Sequence, residues 1–336
     1  MGTGMVARWA AVLCCACASH PGPGPQNVEA PPPPSEQVVV EKPVAAEPVS
    51  LAPAPPPGGS DAAEVVTTAP SLLVKDGFLA PESVLYDAAA DQYLVSNVNG
   101  APNDADDNGF ISRVSPEGKV VLLKWIDGAE QDVELHAPKG MAIVGEVLYV
   151  ADLDRIRKFS TRSGAALGAI TVPGSSSLND LSAAPDGTLY VSDLGLRMAE
   201  GKVEQTAQDA VYKLVREQPR VLARGKQLNQ PNGVWADASE VWVVTFGGQE
   251  LFDVKSGNKA RQQKLPAGKL DGIIKSNDGK LYVSSWESNQ VFVGEPGGTF
   301  EVAYDVTSPA DIGYDPKRNW LLIPLMLENT VKLQPL

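Results

Sequence analysis

The sequence predicts an all-β protein, a six-bladed β-propeller preceded by a disordered Pro-rich N-terminal tether. Three observations carry that prediction. A short turn recurs six times: Pro81-Glu82-Ser83, Pro138-Lys139-Gly140, Leu178-Asn179-Asp180, Pro231-Asn232-Gly233, Leu270-Asp271-Gly272 and Pro309-Ala310-Asp311. Each turn opens a set of three apolar runs with strand composition, such as VLYD, QYLVSN and FISRVS after the first. The middle residues of successive turns lie roughly forty residues apart, twice somewhat over fifty, which is the period of a propeller blade.

Taken in order, the chain opens with a lipoprotein-type signal over residues 1–17. Arg8 supplies a small positive region, and WAAVLCCA at 9–16 is a short apolar core. All three cysteines, Cys14, Cys15 and Cys17, fall here, and the sequence resembles a bacterial lipobox with Cys17 as the lipidated residue. Leu13 and Cys14 depart from the usual lipobox order. The expected location is the bacterial cell envelope, lipid-anchored at the outer membrane or periplasmic face, with simple secretion as the alternative. Residues 18–60, dense in Pro and Ala, cannot bury enough apolar surface to offset their ordering entropy and read as an extended spacer.

The propeller is expected over 61–336, its first strand material beginning near Glu64. The last repeat, ending in NTVKLQPL, lacks an outer strand, so residues near 65–74 should supply it and close the ring. Two repeats carry insertions. NVNGAPNDADDNGF at 97–110 gathers Asp104, Asp106 and Asp107 but lacks the distal Glu of a calcium loop, and it reads as a polar surface loop. GLRMAEGKVEQTAQD at 195–209 is an extended loop suited to shaping a binding mouth. SPEGK, APDGT and SNDGK are turn signals. Trp235, Trp242, Trp286 and Trp320 lie on or beside strands and read as core.

Composition narrows the function. A net charge of −13 over 336 residues argues against a nucleic-acid partner, which needs a basic face. No run of eighteen apolar residues is present, so membrane contact is expected through a lipid anchor only. With no cysteine beyond Cys17, the propeller has no disulfide framework, zinc cluster or thiol nucleophile. A monomer acting on a small molecule is expected.

In a propeller the inner turns converge on one channel. Glu82, Lys139, Asn179, Asn232, Asp271 and Ala310 should therefore meet there, four of them bearing side-chain oxygens. Two carboxylates packed together need compensation, and hard oxygen ligands suit calcium or another divalent cation. Taken singly, each Asn would read as a turn cap; the shared register favours an ion, whose role is structural, catalytic or both. Lys139 balances the acidic ring or, alternatively, serves as an oxyanion ligand or base. His136 reads as a loop residue.

The order Glu, other, Asn, Asn, Asp, other resembles the metal site of the SMP-30/gluconolactonase family of calcium-dependent six-bladed propellers, relatives of the paraoxonases and diisopropylfluorophosphatases. The resemblance spans roughly residues 64–336. It implies calcium at Glu82, Asn179, Asn232 and Asp271, hydrolysis of a lactone, ester or phosphotriester, and Asp271 as base or nucleophile. Two departures bear on substrate: SSLNDLS lacks the family's Arg before the first Asn, and the opening turn reads PESVLYD rather than an EGP-type stretch. Where paraoxonases carry a catalytic His, this chain has Lys139. The expected function is a calcium-dependent lactonase or esterase. The alternative is a non-enzymatic propeller that binds a ligand or partner around a structural ion.

Overall fold

The computed structural model describes residues 70–199 and 202–336. The signal peptide, Cys17 and the 18–60 spacer lie outside the described residues. Among the described residues no helix is long and apolar enough to cross a membrane.

Six four-stranded antiparallel sheets follow one another along the chain, with one small extra hairpin. The first five blades each take four strands in sequence order, from an innermost strand to an outermost one. Their innermost strands are Pro81–Asp87, Pro138–Val144, Leu178–Ala183, Pro231–Ala236 and Leu270–Lys275. The sixth blade runs Gly313–Asp315, Trp320–Leu325, Thr330–Pro335 and then Leu72–Val74, so both ends of the described chain build it. Leu72 pairs with Leu333 and Val74 with Val331. The closing strand Leu72–Val74 is thus where the missing outer strand was expected, near 65–74, of which residues 65–69 lie outside the described residues.

Strand composition follows position. Second strands such as Gln92–Asn97 and Leu281–Ser285 are apolar because a blade covers each of their faces. Outermost strands such as Asn258–Lys264 (NKARQQK) alternate with solvent and carry charge, which blunts their edges. The core is divided into six clusters, one at each blade–blade contact. That between blades 1 and 2 holds Leu94, Ile111, Met141 and Leu148, and that between blades 6 and 1 holds Val74, Val84, Tyr93 and Leu322. Trp242 is fully buried in the cluster joining blades 4 and 5.

One irregularity repeats and positions the site. In blades 1–5 the pairing of the innermost strand breaks at its start: between Pro81 and Ser83, Pro138 and Met141, Leu178 and Leu181, Pro231 and Val234, and Leu270 and Ile273. Each break is a bulge, and a bulge re-aims the unpaired side chain. The residues released from pairing include Glu82, Lys139, Asn179, Asn232 and Asp271.

The 195–209 insertion forms the extra hairpin, Leu196–Ala199 paired with Lys202–Gln205. It was expected as a loop. LRMA and KVEQ carry no marked alternation, so pairing there was not legible from strand periodicity.

Candidate functional site

The five bulges empty onto one cavity of about 440 Å³, whose floor is Glu82, Lys139, Ser177, Asn179, Asn232 and Asp271. All six floor residues are buried, 2–5% exposed. Ala310 is buried as well, but it has no polar side chain; its backbone N–H donates to Pro324 O and its carbonyl accepts from Ser284 Oγ. In the sixth turn the next residue, Asp311, carries the charge.

Second strands hold several of the turns and the segments leading into them. Ser96, Ser192 and Ser284 accept hydrogen bonds from the backbone N–H groups of Ser83, Asp180 and Gly272, the residues just past the ring in blades 1, 3 and 5. The ends of second strands fasten the segments that lead into the turns. Asp152 accepts from the N–H groups of His136 and Ala137, and Asp193 from those of Ser176 and Ser177. Ala80, Gln230, Lys269 and Ser308, each immediately before a turn, adopt positive φ of 50, 57, 48 and 46°. A strained backbone therefore precedes four of the six turns.

Four floor oxygens are buried and have no hydrogen-bond partner: Glu82 Oε2, Asn179 Oδ1, Asn232 Oδ1 and Asp271 Oδ1. These belong to the four residues singled out as metal ligands. Leaving four acceptors unpaired in one cavity is costly, and a cation bound among them removes the cost. Among the described residues no three His, Cys, Asp or Glu side chains are gathered at metal-ligand spacing; this set instead pairs two carboxylates with two carboxamides. All-oxygen ligands of this kind fit a hard divalent ion better than zinc.

The electrostatics agree. Burial, with the negative charge of Asp271 next, holds the Glu82 carboxyl well above the usual range, and Lys139 only partly offsets this. Burial pushes Asp271 up to about 7, against the pull of the Trp286 indole N–H and the Asn232 side chain. Asp271 Oδ2 accepts that indole hydrogen at 2.6 Å, which orients the carboxyl and leaves Oδ1 free. Trp286 is therefore part of the site wall, not core as its strand position suggested. Lys139 Nζ donates to Pro102 O at 2.8 Å and Ala137 O at 3.2 Å, tying the 97–110 insertion to the floor. Burial lowers the Lys139 pKa, against the pull of Glu82 and then Asp152.

Ser177 Oγ is a fifth buried, unpartnered polar atom on this cavity. Its only sequence signal was its place two residues before Asn179. His136 lies apart from the floor, its Nδ1 taking the backbone N–H of Asp107 at 3.1 Å. Deeper along the channel the residues after the ring form a second layer. Asp180 and Asp311 are both buried; Asp311 Oδ2 accepts from Ser83 Oγ at 2.5 Å and Asp180 Oδ2 from Val234 N at 2.7 Å. Burial raises both carboxyls, Asp180 to about 7.

The 97–110 and 195–209 insertions shape the mouth without plugging it. Gly100, Pro102 and Asn103 come from the first and Leu196 from the second.

No family model matches the sequence, and no curated protein matches it. Solved structures do resemble it. A protein described as "the putative gluconolactonase" superposes with a TM-score of 0.60 at 19% identity, covering 79% of this chain and 91% of that one. Virginiamycin B lyase from Staphylococcus aureus gives 0.54 at 12% identity, covering 80% and 98%. A chain of a nidogen/laminin complex gives 0.52 at 18% identity, covering 65% and 76%. At such identities the likeness is one of fold, and with six four-stranded blades closed by strand 72–74 the chain is a six-bladed β-propeller.

Proposed function

We propose that the protein is a metal-dependent hydrolase of the lactonase or esterase type. Glu82, Asn179, Asn232 and Asp271 would hold a divalent ion, calcium by the chemistry of the ligands. The observation that carries this reading is the set of four unpartnered, buried oxygens on the floor of one open cavity. The resemblance to the SMP-30/gluconolactonase family, read from the order of the ring residues, supports it.

When bound, the ion supplies Lewis acidity toward a carbonyl or phosphoryl oxygen. The chain's own groups do the rest. The Asp271 carboxylate takes a proton from water as the water oxygen bonds to the substrate carbonyl carbon. The acyl C–O bond then breaks, and the departing alkoxide recovers that proton, giving an acid and an alcohol, or one hydroxy acid from a lactone. Trp286 keeps the Asp271 carboxyl in one orientation through Oδ2. Lys139 sits beside the acidic floor and limits its net charge.

A calcium titration followed by turnover of a lactone and arylester panel tests the reading. Calcium-dependent hydrolysis that drops at least about 100-fold in Asp271→Asn is expected, since a positioned general base contributes about 10²–10⁴-fold. Undiminished hydrolysis in that variant would remove Asp271 from the mechanism. Calcium binding with no turnover on any panel member would favour the binding-module alternative.

A further inference from the structure

The floor of the cavity is polar, but its walls are not. They are built from Pro102, Leu194, Leu196, Phe246, Trp286, Met326 and Leu327. Resting on the hydrolase reading above, we infer that the substrate is an apolar-tailed lactone or ester. Its carbonyl sits over the floor, and its alkyl or aryl tail lies along Phe246, Trp286, Met326 and Leu327.

Three observations support this. First, Leu327 is 74% exposed at the mouth, the most exposed large apolar residue among those described. It sits on a one-turn helix, Met326–Glu328, ordered by Met326 N donating to Ser308 O and Leu327 N to Ser308 Oγ. An apolar side chain held rigidly in water beside a cavity is a preformed contact for an apolar ligand. Second, a polyhydroxylated lactone would leave hydroxyls unpaired against these walls. Lys139 Nζ already donates to two carbonyls, and Trp286 Nε1 is spent on Asp271. Among the described residues that line the cavity above the floor, Asn103 is the one polar side chain left to receive sugar hydroxyls. Third, the cavity is large enough for a ring with a tail, at about 440 Å³.

The test uses the full-length protein in calcium and a series of 5-alkyl-γ-lactams, hydrolysis-resistant mimics of γ-lactones, with gluconolactam as the polyol member. Binding is read by calorimetry. Affinity should rise about fourfold per added methylene over the first members, the increment for burying one methylene group. Gluconolactam should bind more weakly than the butyl lactam. Leu327→Ser and Phe246→Ser should flatten the chain-length dependence and leave calcium affinity unchanged. A flat series, absence of lactam binding, or preference for gluconolactam would overturn the inference.

The same preparation separates this from failure of the hydrolase reading. If alkyl lactams bind with the expected slope but no lactone or ester is turned over, the pocket preference stands and the catalytic assignment falls. If turnover occurs and favours polyol lactones, the reverse holds.

Discussion

At the scale of single residues, the site is a problem in compensating charge. Glu82, Asp180, Asp271 and Asp311 are carboxyls buried within one channel, and burial raises all four. In protein stripped of divalent ions, the folded state therefore keeps protons that the unfolded chain has released. Unfolded carboxyls titrate near 4, whereas Asp180 and Asp271 titrate at about 7 when folded. Stability is then fully present below about pH 4 and is lost as pH rises through the window to 7. Surface carboxyls work in the opposite sense but lower down. Asp91 and Glu134 are held below their usual range by hydrogen bonds to Arg318 and Arg157, so their contribution is complete once pH has passed the ordinary carboxylate range near 4. Between pH 5 and 7 the melting temperature of chelated protein should fall by about 5 °C or more, since about 1 kcal/mol moves it 2–4 °C in a domain of this size. Millimolar calcium should flatten the slope, because the cation replaces the protons on Glu82 and Asp271. Calorimetry at pH 5, 6 and 7 with and without chelator checks this; a rising melting temperature in chelated protein would contradict it.

At the scale of elements, the bulge is the device that turns five innermost strands toward one ring. It needs room behind the released side chain, and glycine supplies it. A Cβ on Gly140 would stand 2.4 Å from Asp180 Oδ1 and 2.5 Å from Asp180 Cα, the latter being backbone that cannot swing away. Gly140→Ala should thus cost about 2–3 kcal/mol through overpacking and weaken calcium binding by displacing Asn179 and Asp180 together. Gly298→Ala, on an outer turn where the nearest atom is 3.3 Å away, should change stability by less than about 0.5 kcal/mol. Thermal melts of the two variants decide the matter, and equal melting temperatures would mean the blade 2–3 contact is looser than its geometry implies. The ring itself was legible because it recurs: Glu82, Asn179, Asn232 and Asp271 share one position in a repeat, and a repeat projects onto a ring. What the repeat could not show are groups with no counterpart in other blades. Trp286 reaches Asp271 from a single loop, Ser177 lines the floor in one blade alone, and the acid of the sixth turn is Asp311, one place beyond Ala310. The 195–209 hairpin was hidden for the same reason, being an insertion with no sister segment.

At the scale of the molecule, the propeller has one joint unlike the others. Five blades are made from continuous chain, while the sixth borrows Leu72–Val74 to cover Thr330–Pro335. The borrowed strand also buries Val74 against Phe78, Val84, Leu322, Val331 and Leu333 in the cluster joining blades 6 and 1. Polar contacts cross the same joint: Tyr93 donates to Asp315 Oδ2 at 2.8 Å, and Asp91 receives Arg318 at 2.8 Å and Lys317 at 2.5 Å. The Asp91 pairs lie where solvent screens them and contribute little to stability. Burying Val74 is worth about 1.5–3 kcal/mol, and its strand satisfies backbone groups on Thr330–Pro335 that no side chain can replace. The joint should therefore depend on the borrowed strand more than on its ion pairs. A chain beginning at residue 70 keeps Leu72–Val74 and is the reference. One beginning at residue 76 should expose an unpaired edge, melt at least about 5 °C lower and self-associate on sizing with light scattering. Asp91→Asn in the full chain should shift melting by no more than about 3 °C. The reverse ranking, with the 76–336 chain intact and Asp91→Asn severely destabilised, would place closure of the ring in the ion pairs and leave the short strand as decoration on an already closed fold.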